Sequence, residues 1–117
     1  VNMKIKEAKK ISKIVDELFL YFVKHGHANI NLDIKITDEQ IKIEITLENL
    51  DNTLLNKIKE RLQEDREIEV EEYGWELMGE SDCSNELELI GLLIDTVEHK
   101  VENNLDILTF IRKRSKK

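Results

Sequence analysis

The chain has 117 residues, 40% hydrophobic and 37% charged, which is the size and make-up of a single domain able to bury a core without disulfides or metal. Its net charge of −7 argues against nucleic acid as a partner. No apolar run approaches the roughly 18 residues of a membrane span and no secretory segment opens the chain, so a cytoplasmic protein away from the membrane is expected.

The charge is unevenly spread. Residues 1–13 carry +4 and residues 112–117 carry +5, so the body between them sums to −16. Within it, residues 64–88 hold eleven acids against Arg66 alone. One domain over 1–117 is expected, with basic frayed ends at about 1–4 and 113–117. Cys83 stands alone, which excludes an internal disulfide and a cysteine metal site. His25 and His27 straddle Gly26 and suit no shared ion, so no metal is expected.

In chain order, the spacing predicts a helix over 5–25, with Ile11, Ile14, Val15, Leu18, Phe19 and Phe22 on its apolar stripe and Gly26 as the stop. Two period-2 segments follow, Ile30-Leu32-Ile34-Ile36 and Ile41-Ile43-Ile45-Leu47. Residues 37–40 turn between them, giving an antiparallel hairpin with one packed and one wet face. A second helix over 51–65 buries Leu54, Leu55, Ile58 and Leu62, capped by Asp51 or Thr53. A short strand is expected at Ile68–Tyr73, then a loop around Gly74 and Gly79. A third helix runs from Ser84 through Leu87, Ile90, Leu93, Ile94 and Val97. Two strands, 98–103 and 105–112, close the chain around Asn103-Asn104.

This order predicts an α+β fold: a two-layer α/β sandwich with helices on one face of a mostly antiparallel mixed sheet. Leu108 and Phe110 oppose Leu105, Ile107 and Ile111 on the last strand. They are expected on the outer face of the sheet, as a dimer or partner surface. Trp75, set among acids, is either a packing anchor for its loop or a second partner contact.

The order of elements and the stretch Glu17-Leu18-Phe19-Leu20-Tyr21-Phe22-Val23-Lys24-His25-Gly26 resemble the ATP-binding fold of bacterial histidine kinases and serine-kinase anti-sigma factors. That family carries Glu-Leu-x-x-Asn-Ala-x-x-His on its first helix and an Asp-x-Gly turn after its hairpin. A glycine-rich lid then leads into a long helix. The resemblance covers about residues 10–113, with Leu89, Ile90, Leu93, Asp95 and Val97 in step on the long helix. It implies family-equivalent site positions at Glu17, Tyr21, Lys24, Glu48, Asn49, Ser84 and Glu86.

Several of these positions carry the wrong chemistry for the family's activity. The Mg²⁺-holding Asn falls on Tyr21, and a phenol is a poor ligand for a hard cation. The Asp-x-Gly turn falls on Leu47-Glu48-Asn49, without its glycine. The phosphate-cradling glycines fall on Ser84 and Glu86. Glu17 alone keeps the carboxylate that serves the family as base. The expectation is a non-catalytic regulatory module with no cofactor, acting on a protein partner that is basic where it meets the acidic body. Two alternatives stand beside it. One is an ATP- and Mg²⁺-dependent serine or histidine protein kinase with Glu17 as base. The other is an unrelated α/β structural or assembly domain.

Overall fold

The first helix, α1 (Ile5–Lys24), sets out the logic of the packing. Ile11, Ile14, Leu18 and Phe22 recur at helical spacing and are all buried, so one side of the cylinder is committed to the sheet. Its end is built as the sequence predicts. Gly26 takes φ +90°, the Gly26 N–H donates to the Val23 carbonyl, and the His27 N–H donates to the Phe22 carbonyl. The His27 ring then meets Phe22 edge to face at 5.6 Å, closing the left-handed cap with a ring contact.

A computed structural model of the chain describes residues 2–62, 66–76 and 86–114. After α1 come β1 (Asn31–Ile36), β2 (Gln40–Glu48), α2 (Asn52–Arg61), α3 (Ile68–Gly74), α4 (Glu86–Leu93), β3 (Thr96–Glu102) and β4 (Leu105–Lys113). The strands lie in the order β1-β2-β4-β3 and every pairing among them is antiparallel. The mixed character expected from the sequence is therefore absent among the described residues. β2 and β3 flank β4 and run the same way, joined by the excursion through α2, α3 and α4.

Ile41, Ile43, Ile45 and Leu47 of β2 are fully buried on one face, and Glu44 and Thr46 occupy the other. This gives a two-layer α/β sandwich with its helices on one side of the sheet. Each such fully buried side chain stabilises the fold by about 1.5–3 kcal/mol. No helix among the described residues is long and apolar enough to cross a membrane.

Three features each follow from one or two residues. Asp51 caps α2, its carboxylate accepting the Thr53 N–H at 2.9 Å. Asn103 and Asn104 both have positive φ, 51° and 65°, the pair of left-handed residues that a tight hairpin needs. A Cβ at Gly74 would sit 2.7 Å from Leu92 Cδ2, so this glycine lets α3 lie close against α4.

Four expectations need correction. Ile68–Tyr73 is helical, because the residues that bury are Glu71, Gly74 and Trp75, spaced for a helix, whereas Ile68, Val70 and Tyr73 stay exposed. The third helix stops at Leu93. Val97 belongs to β3, since the Asp95 N–H is taken by the Ile111 carbonyl and turns the chain into the sheet. Phe19 leaves the apolar stripe of α1 and is 52% exposed.

Leu108 and Phe110 are the fourth. They pair with Ile45 and Ile43 beneath the helices and are wholly buried core residues, so they present no outer surface to a partner. Leu105, Ile107 and Ile111 take the outer face instead.

Candidate functional site

The positions singled out from the sequence separate into two groups joined at the C-terminal end of α1. The first lies on the seam between α1 and α4. Glu17, Tyr21 and Lys24 follow one another at helical spacing along α1, and Glu86 is the first residue of α4. Lys24 Nζ reaches both carboxylate oxygens of Glu86, at 3.2 and 3.1 Å. Lys13 Nζ lies 3.3 Å from Glu17 Oε2.

Glu17 Oε1 and the Tyr21 hydroxyl are buried without a hydrogen-bond partner among the described residues. Burial pushes the Glu17 carboxyl above its usual range, with Lys13 opposing and Asp16 and Glu86 adding to the rise. Burial raises the Tyr21 phenol in the same way, and the Glu86 charge raises it further. The seam thus sets two carboxylates and a phenol beside two lysines that are already engaged.

The second group lines a cavity of about 470 Å³ at the end of α1, where His25, Gly26 and His27 face Glu48, Asn49, Thr53 and Lys57. Tyr21 connects the two groups. Its ring lies 4.6 Å from that of His25, and His25 Nδ1 donates to the Tyr21 carbonyl oxygen at 2.8 Å. Asn49 has φ 55°, a left-handed backbone that Asn tolerates better than most side chains.

The turn is pinned from below. Asp106 Oδ2 accepts the Leu50 N–H at 3.0 Å, and Asp106 Oδ1 lies 2.8 Å from His99 Nε2. Burial would raise the Asp106 pKa, but His99 and the Leu50 N–H together hold it low. Glu48 is exposed and accepts a long 3.4 Å bond from Asn29.

Ser84 and Cys83 lie outside the described residues. Trp75 is 7% exposed and packs into the core, with Lys10 Nζ 5.8 Å from its ring centroid, as expected of a packing anchor. No group of three or more His, Cys, Asp or Glu among the described residues is arranged to hold a metal ion.

The sequence reading missed one centre. Under α3, Glu71 is buried among Lys10, Arg66 and Arg112. Arg112 donates to both oxygens of Glu71, at 3.1 and 2.9 Å, and to the Leu93 carbonyl at 2.9 Å. Lys10 bridges Glu71 and Glu72. Arg66 Nε and the Lys113 N–H both bond Asp95, at 3.2 and 2.6 Å. The signal was available: Lys10 falls on the buried stripe of α1, and Arg112 shares its face of β4 with Leu108 and Phe110.

No protein-family model, curated protein or solved structure matches the chain.

Proposed function

We propose that the chain is a non-catalytic, protein-binding regulatory module on a scaffold of the histidine-kinase and anti-sigma-factor type, its nucleotide site filled by its own charges. One observation carries this reading. Glu17 and Glu86 are buried on the α1–α4 seam with Lys13 and Lys24 bound to them. A nucleotide polyphosphate carries about four negative charges and needs free backbone N–H groups or cations at that seam. It would meet two carboxylates and a phenol instead. Glu17 as a base would also need a metal or a phosphate cradle beside it to complete a transfer site.

Surface supports the binding half. Ile34 and Ile36 of β1 are 41% and 39% exposed, and Phe19 and Val23 of α1 add apolar area on the side of that helix opposite Glu17 and Lys24.

A second reading, an ATP-binding serine or histidine protein kinase, draws on the cavity beside Asn49 and on the left-handed backbone there. Calorimetric titration with ATP, with and without Mg²⁺, separates the two. The expected result is no heat and no thermal shift up to millimolar nucleotide. A micromolar Kd, about −8 kcal/mol, would restore the kinase. Glu17→Gln is expected to raise Tm at pH 7, because the amide fills the same space without a buried charge.

A further inference from the structure

β1 is an edge strand: among the described residues its only strand neighbour is β2. The direction of its backbone groups follows from the hairpin. The Thr37 N–H donates to the Gln40 carbonyl at 3.0 Å, so Thr37 and Gln40 form a hydrogen-bonded pair. In an antiparallel ladder such pairs recur at every second residue. With the register Lys35↔Lys42, Asp33↔Glu44 and Asn31↔Thr46, the odd-numbered residues bond β2. The N–H and C=O groups of Leu32, Ile34 and Ile36 therefore point away from the sheet, and the same residues carry the apolar side chains of the edge. Such an edge is a template for another strand.

The sequence of β1, Asn31-Leu32-Asp33-Ile34-Lys35-Ile36, is complementary to itself when laid antiparallel about Ile34. Ile34 then meets its own counterpart, and Leu32 meets Ile36. These are the three residues whose backbone groups face outward, so each pairing is a hydrogen-bonded one. On the wet face Asp33 meets Lys35 and Lys35 meets Asp33, in the close, non-hydrogen-bonded positions where cross-strand charges interact most.

Neighbouring registers lose this match. A shift of two residues in one direction sets Asp33 against Asp33; in the other it sets Lys35 against Lys35. A shift of one residue points the wrong backbone groups at the partner. The complementarity extends inward as well. Asp33 continues across the sheet into Glu44 and Lys35 into Lys42, so the acidic row of one copy would run on into the basic row of the other.

We propose that β1 pairs with β1 of a second copy about a two-fold axis at Ile34, giving a continuous eight-stranded antiparallel sheet with all helices on one face. The exposed Ile34 and Ile36 lie on this edge and are covered by side chains of the other copy. This deepens the reading of the β1 side as a protein contact and rests on it, but not on the state of the nucleotide site. A positive ATP titration would leave it untouched.

The test uses charge reversal at two exposed positions, with side chains 58% and 73% accessible, so the monomer fold is spared. In sedimentation equilibrium the parent chain is expected to be a dimer. Asp33→Lys and Lys35→Asp, each alone, put like charges opposite at both symmetric pairs and are expected to weaken the dimer about tenfold or more. Mixed together, the two single variants regain opposite charges at both pairs and are expected to form a heterodimer as tight as the parent. The double variant, with the charges exchanged within one strand, is expected to dimerise like the parent. A parent chain that stays monomeric at about 1 mM, the weak end of specific affinity, would overturn the proposal. So would single variants that dimerise unchanged, or a mixture that does not associate.

Discussion

Glu71 and Glu17 are both buried, yet their surroundings drive them in opposite directions. Burial alone would raise the Glu71 pKa. Hydrogen bonds from Arg112 and Lys10, with the charges of Arg112 and Arg66, bring it down to about 2 instead. A folded-state pKa below the ordinary 4.5 means that folding favours the ionised form. The stability it contributes is complete above about 4.5 and is lost as pH falls towards 2. Urea unfolding across that window is expected to show falling stability in the parent chain and a flatter profile in Glu71→Gln. At pH 7 that variant, leaving three buried cations with one carboxylate fewer, is expected to lose about 3–5 kcal/mol. Glu17 has the opposite sign. Its raised pKa means that its contribution is present at low pH and is lost as pH rises through the folded value. The residue that most resembles a catalytic base is thus a cost to the fold at neutral pH, whereas Glu71, which no motif marks, stabilises it.

At the scale of elements, α1 joins the parts. One side covers the sheet and one flank carries Lys10 and Lys24 to α3 and α4. Its C-terminus turns on Gly26 to form a wall of the cavity. Nothing lies within 4 Å of a Cβ built at Gly26, so a side chain there meets no obstacle and the only cost is conformational. Gly26→Ala is therefore expected to destabilise the protein by about 1–2 kcal/mol, the penalty of a left-handed residue with a Cβ. Thermal unfolding measures it. A loss much larger than this would mean that the cap also holds the cavity loop in place. α3 is held differently, by the ionic centre on one side and Gly74 against Leu92 on the other.

At the scale of the molecule, the sheet has one dry face and one charged face, and β1 is the edge where the dry face meets solvent. If two copies join there, amide exchange along β1 becomes concentration-dependent in an alternating pattern. The Asp33 and Lys35 amides, bonded to β2, are expected to exchange slowly at any concentration. Those of Leu32, Ile34 and Ile36 are expected to exchange quickly in dilute protein and slowly in concentrated protein. Hydrogen exchange resolved by residue would read this directly, and equal rates along the strand at every concentration would contradict it.

Much of this was legible in the sequence, and the reasons are local. The stripe of α1, the alternation of β2, the Asp51 cap and the Asn103-Asn104 turn each follow from a few neighbouring residues whose geometry is set by the backbone. So did the α+β order of elements. What only the tertiary structure decided was which face of an element meets what. β4 carries apolar residues on both faces, and pairing Leu108 with Ile45 put Leu108 and Phe110 inside. Ile68 and Val70 alternate like a strand, but a buried partnership of Glu71 with Lys10, Arg66 and Arg112 makes that segment a helix. The contacts of Glu71 with Lys10 and Arg112 join residues 61 and 41 positions apart, and no pattern local to α3 encodes them. Period and propensity act over one or two turns of chain, whereas burial of charge and choice of face depend on the whole fold.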